Sequence, residues 1–153
     1  MIVPIYKLVV YGTPVAQGRA RSRLIRKKDG GQFISHYDPK GSRDYKDFIR
    51  RRILVNGKPD VLIDEPVVLS CRVYILKPKS KRYGPKSKKK EVIFPESKPD
   101  LSNYIKGIED ASEGLVVKND SCIVGYHNTW KIYCLKMPRV EFELYRAEDF
   151  WNE

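Results

Sequence analysis

The sequence is short of the residues that usually staple or metallate a small protein. It holds three cysteines, Cys71, Cys122 and Cys134. The number is odd and no pair stands at Cys-x-x-Cys spacing, which argues against a zinc site or a disulfide framework. Buried reduced thiols in a cytoplasmic protein are the expectation. Its two histidines, His36 and His127, lie too far apart in sequence to suggest a metal pair. No apolar run approaches the ~18 residues that a membrane helix needs. The opening MIVPIYKLVVYG has neither a basic leader nor a small-residue cleavage site, so it reads as a first strand and not as a signal peptide. There is no internal repeat, no aromatic RNP-type motif and no KH-type loop, which disfavours a dedicated RNA-binding module.

Negative charge is scarce as well. Thirty Lys and Arg face nineteen Asp and Glu, a net charge of +11 over 153 residues. A field of that sign attracts polyanions, nucleic acid first. Hydrophobic residues make up 41% of the chain, enough for a packed core in one domain spanning 1–153.

Residues 3–12 are β-branched and aromatic and stop at Gly12-Thr13-Pro14, a strand and a turn. Residues 15–37 hold Arg19, Arg21, Arg23, Arg26, Lys27 and Lys28 among three glycines. They read as a basic, flexible stretch that ends in a short hairpin strand near Phe33. Ser42 is a candidate N-cap, and Tyr45, Phe48, Ile49, Arg52 and Ile53 follow at helical spacing, predicting a helix over 43–55. Residues 66–76 predict a second strand. From Lys77 to about Lys98 the chain is rich in lysine, with Lys79, Lys81, Arg82, Lys86, Lys88, Lys89 and Lys90 between prolines. Like charges repel and little can be buried, so a solvated basic loop is expected.

A second helix is expected over 100–115. Leu101, Tyr104, Ile105, Ile108, Ala111 and Leu115 fall on one arc, with Asn103, Lys106, Asp110 and Glu113 opposite. Residues 121–134 and 139–146 close the chain as two strands, and in the latter Val140, Phe142 and Leu144 alternate with Arg139, Glu141 and Glu143. Tyr126, Trp130 and Tyr133 read as core and sheet-face residues, with base stacking as the sharper alternative. The order β-α-β-α-β-β implies an α/β (α+β) fold: a small mixed sheet with two helices packed on one face.

The acids of this cationic chain gather in one place. Asp100 opens the second helix, where an N-cap is the plain reading. Yet Asp100, Lys106 and Asp120 are all polar residues at the exposed side or the ends of elements. Carboxylates from a helix start and a following loop can hold Mg²⁺. A neighbouring lysine can stabilise charge developing on a phosphate.

At these residues the sequence resembles the RusA-like Holliday junction resolvases of bacteria and their phages. The family block Lys/Arg-Pro-Asp-x-Asp-Asn-x-x-Lys is matched by Lys98-Pro99-Asp100-Leu101-Ser102-Asn103-Tyr104-Ile105-Lys106, and the later acidic pair by Asn119-Asp120. Gly18-Arg19-Ala20-Arg21 matches an early basic segment, and the lysine-rich loop stands where phage members carry one. The resemblance covers most of 5–145. It implies a homodimeric, metal-dependent endodeoxyribonuclease that nicks four-way junctions and other branched DNA during recombination and repair. The setting it implies is the cytoplasm of a bacterial or phage-infected cell. Carried over, Asp100 and Asp120 would be Mg²⁺ ligands (Mn²⁺ as the substitute), Lys106 the catalytic lysine, and Asn103 a supporting residue. The chain departs at Ser102 and Asn119, where the family has acids. Ser102 and Asn103 are further candidate ligands, and Asp110 is the first choice to replace a missing carboxylate, ahead of Glu109 and Glu113. The expected phosphate contacts are Arg19, Arg21, Arg23, Lys79, Lys81, Arg82, Lys86, Lys88, Lys89 and Lys90. The rival expectation is a silent junction-binding protein of the same fold.

Overall fold

The alternation Val140, Phe142, Leu144 buries one face of the strand β7 (Arg139–Arg146), which lies within the sheet. The computed structural model describes residues 1–79 and 93–151. β7 pairs antiparallel with β1 (Tyr6–Tyr11) on one side and with β4 (Val67–Leu76) on the other. The far edge of β4 is occupied end to end by two short parallel strands, β5 (Ile123–Tyr126) and β6 (Trp130–Cys134). The sheet is therefore mixed, as expected.

Two helices cover one face. α1 (Lys40–Asn56) buries Tyr45, Ile49 and Ile53, and α2 (Leu101–Ser112) buries Tyr104, Ile105, Ile108 and Ala111. Both stripes meet Leu8, Val10, Val67, Leu69, Cys71, Val73, Val140, Phe142 and Leu144 in one core. Burial pushes the Cys71 thiol up to about 12, so it stays protonated and inert. All three cysteines are free, but only Cys71 is buried. The Tyr45 hydroxyl is buried with no hydrogen-bond partner among the described residues.

The opposite face of the sheet is polar. Arg72 lies 3.3 Å from Glu141 and 3.5 Å from Glu143, and Arg139 pairs with Glu141 at 2.8 Å while stacking on the Tyr74 ring. Cross-strand register lines these side chains up, Arg72 opposite Glu141 and Tyr74 opposite Arg139.

Four local expectations change. The basic stretch after the first turn is a formed hairpin, β2 (Arg21–Arg26) paired with β3 (Gln32–Tyr37), outside the main sheet. Ser42 lies inside α1, whose N-cap position is Pro39, and its hydroxyl accepts the Gly18 amide at 2.7 Å. The strand expected over 121–134 is broken. Residues Asp120–Cys122 form a 3₁₀ turn, and between β5 and β6 Asn128 takes a positive φ of 45°. There the Thr129 hydroxyl accepts the Cys71 amide at 3.2 Å, and the Ser70 hydroxyl donates to the Asn128 carbonyl at 3.2 Å. Side chains thus satisfy part of the ladder where the backbone turns away. Trp130 and Tyr126 are exposed rather than core.

Candidate active site

Asp100 occupies the N-cap position of α2, but its side chain caps nothing. Its backbone carbonyl accepts the Asn103 amide at 3.1 Å, and its carboxylate is left exposed. The N-cap reading therefore fails in its side-chain part. Asp100 and Asn103 line a cleft of about 390 Å³ with Gln17, Arg19 and Lys98. The Gln17 amide donates to the Asn103 carbonyl at 3.0 Å, which ties the segment before the hairpin to the first turn of α2.

The turn that delivers Asp100 is held from the sheet. The Lys131 ammonium donates to the carbonyls of Ser97 and Pro99, each at 3.0 Å, across a cis Lys98–Pro99 peptide. Lys131 lies opposite Val73, on the helix-covered side of β6, so the register aims it at the loop.

One to three turns further, α2 presents Lys106 and Asp110 on one face. Lys106 lies 2.9 Å from Asp110 and 3.9 Å from Asp120, with its side chain 52% exposed. An exposed pair of this kind stabilises by only about 0.3–0.5 kcal/mol. Its order, lysine N-terminal to acid, is also the weaker one for a helix. Helix stability therefore does not explain two carboxylates converging on one ammonium. The hydrogen bond that Lys106 donates to Asp110 raises its pKa; burial opposes the rise, and the charges of Asp110, Asp120 and Glu109 add to it. Lys106 is thus a fixed cation at neutral pH and no general base.

Asp120 begins the 3₁₀ turn. Asn119 caps that turn, its side-chain oxygen accepting the Ser121 amide at 2.9 Å. The oxygen that could have served a metal at Asn119 is thus already engaged. Glu109 is turned away toward Tyr126, whose hydroxyl donates to it. Burial, then that bond, pushes the Tyr126 hydroxyl up to about 12. Asp110 is left as the acid nearest Lys106. Ser102 is exposed one turn before Lys106.

The donors suit a hard divalent ion: carboxylate oxygens, more than one per cation now present, and reachable from solvent. Among the described residues, however, no three acids, histidines or cysteines are grouped closely enough to hold a metal. Asp110 and Asp120 meet at Lys106, and Asp100 does not join them in such a group.

Of the basic residues, Arg19 lines the cleft, Arg21 and Arg23 stand on the hairpin, and Lys79 is exposed. Lys81, Arg82, Lys86, Lys88, Lys89 and Lys90 lie outside the described residues. His36 bonds Ser22 on the hairpin, and His127 packs on Phe150. Sequence reasoning missed Lys131. Its one signal was a lysine set between Trp130 and Ile132 in a strand.

The family model for Endodeoxyribonuclease RusA matches residues 11–145, a span that holds every site residue above. The uncharacterized protein YqaN of Bacillus subtilis (strain 168) is 36% identical over 138 residues, covering 88% of this chain and 92% of that protein. No helix among the described residues is long and apolar enough to cross a membrane. The chain belongs to the RusA endodeoxyribonuclease family, whose members are DNA-cutting enzymes.

Proposed function

We propose that the protein is a divalent-metal-dependent, structure-selective endonuclease that nicks four-way junctions and other branched DNA as a homodimer. The observation that carries this reading is the convergence of Asp110 and Asp120 on the Lys106 ammonium in a chain of this family. Asp120 and Asp110, which meet at Lys106, would hold Mg²⁺, or Mn²⁺ in its place, and Asp100 would contribute its charge from the neighbouring cleft. A divalent ion held there would supply Lewis-acid chemistry toward the phosphate and toward a nucleophilic water. Lys106 keeps its proton and stabilises the negative charge that develops on the phosphate oxygens. Asn103 supports the Asp100 cleft through its position on the first turn. Two cuts related by symmetry need two sites, and a C2 dimer supplies them most simply.

Incubation with an end-labelled four-way junction, with and without Mg²⁺, tests the reading. Paired nicks that require the metal support it. A second reading, a junction-binding protein that does not cut, is favoured by Ser102 in place of an acid and by the lack of a three-acid group among the described residues. Binding without nicking under any divalent ion would establish that alternative.

A further inference from the structure

The hairpin β2–β3 stands outside the sheet that holds the core, and it is exposed along both strands. A two-stranded ribbon alone in water is marginal, so this element has something to gain from a partner. Its base is fixed beside the candidate active site, where Gly18 is held by Ser42 and Arg19 lines the cleft with Asp100.

Its charge is unusual within this protein. Elsewhere the described cations pair repeatedly with acids: Lys46 with Asp38, Arg72 with Glu141, Lys118 with Asp64, Arg146 with Glu65. None of the ion pairs among the described residues involves Arg21, Arg23, Arg26, Lys27 or Lys28. Two of these cations are instead braced over aromatic rings, Arg23 over Tyr37 and Lys27 over Phe33.

The register sorts the ribbon into two faces. One carries Arg21, Arg23 and Ile25 opposite Tyr37, Ser35 and Phe33. The other pairs Ser22 with His36, Leu24 with Ile34, and Arg26 with Gln32. Leu24 and Ile34 are 56% and 63% exposed, an apolar pair at the centre of a polar face. That composition matches what base edges ask for. Arg addresses guanine N7 and O6, Gln addresses adenine, and an aliphatic side chain meets the thymine methyl. Six residues per strand span ~20 Å, and a two-stranded ribbon enters a major groove ~12 Å wide.

We propose that the β2–β3 hairpin lies in the major groove of one duplex arm, with Leu24, Ile34, Arg26 and Gln32 toward the base edges and Arg21, Arg23 and Lys27 toward the phosphates. The ribbon is then the part of the protein that gives cleavage its sequence preference. The inference rests on the nuclease reading for its biological setting, but the ribbon binds whether or not the site cuts.

The test is binding to a four-way junction and to its linear arms without divalent metal, with guanine N7 methylation protection as the readout. Wild-type protein should protect N7 positions on an arm. Arg26→Ala combined with Gln32→Ala should lose that protection, with an unchanged melting temperature. Arg21→Ala combined with Arg23→Ala should keep the protection pattern and lower the log–log salt slope by about 0.9 per lost contact. Absence of N7 protection by the wild type overturns the proposal. So does a Leu24→Ser, Ile34→Ser variant that turns from dimer to monomer without DNA, since the apolar pair would then face a second copy. Failure of the nuclease reading alone would show as N7 protection with no nicking once Mg²⁺ is added.

Discussion

The Lys131 ammonium donates to the Pro99 carbonyl at 3.0 Å, so a residue of the sheet fixes the turn that presents Asp100. A second bond of the same length, to Ser97, makes the contact a clamp. Lys131→Met keeps most of the side chain's bulk and removes its donors. We expect cleavage to fall about tenfold or more, since misplacement of a reacting group by about 1 Å can cost 10²-fold. The loss should lie in kcat, with junction affinity within about twofold, and Lys131→Arg should recover part of the rate. Equal activity in Lys131→Met would show that the turn holds itself.

Ser102 is exposed on α2, one turn before Lys106. Ser102→Asp adds a carboxylate one turn from Lys106, and ion affinity rises with the charge count of its ligands. The variant should cut faster, or reach half-maximal rate at a lower Mg²⁺ concentration, when rates are followed across a metal titration. Unchanged or lower activity would mean that Asp110 already completes a rearranged site.

Glu141 sets part of the acid limit of stability. Burial favours its neutral form, but the hydrogen bonds and charges of Arg139 and Arg72 outweigh this and lower its pKa. A carboxyl whose folded pKa is depressed contributes stability above its unfolded value, ~4.3, and loses it as pH falls through the folded value. Thermal melts should therefore drop between about pH 5 and 3. Glu141→Gln should be less stable at pH 7, by about 1 kcal/mol, and show a shallower acid limb. A limb identical to that of the wild type would place the acid sensitivity elsewhere.

Tyr45 leaves a buried hydroxyl without a partner. Desolvation comes first among the causes that raise its pKa, ahead of Cys71 and Tyr104. A buried unsatisfied polar group costs about 1–3 kcal/mol. Tyr45→Phe should raise the melting temperature, by an amount equivalent to about 1 kcal/mol in chemical denaturation. A destabilised variant would reveal a hydrogen bond to that oxygen.

What the sequence revealed follows how strongly each element commits to one face. α2 and β7 bury one stripe each and leave charges on the other, so Ile108 and Phe142 announced the core. β2 and β3 bury neither face, and without that contrast a run of arginines beside glycines reads as loop. The break between β5 and β6 was hidden because Thr129 and Ser70 carry the ladder with side chains, a choice that composition does not record. Within the site, the spacing of Asp100, Lys106 and Asp110 was legible because one helix carries all three. The roles of Lys131 and Asn119 depend on contacts across the fold or on the local turn, and no period marks them.

The most direct test concerns Asp120 beside Lys106. Asp120→Asn removes a charge from an exposed turn, so folding should be unaffected, and the loss of a negative group near phosphate cannot weaken the electrostatic part of DNA binding. On a labelled four-way junction with Mg²⁺, the variant should bind as tightly as the wild type or tighter and yield no nicks. Lys106→Ala should cut about 10²-fold more slowly or worse. Nicking by Asp120→Asn at the wild-type rate would contradict the account.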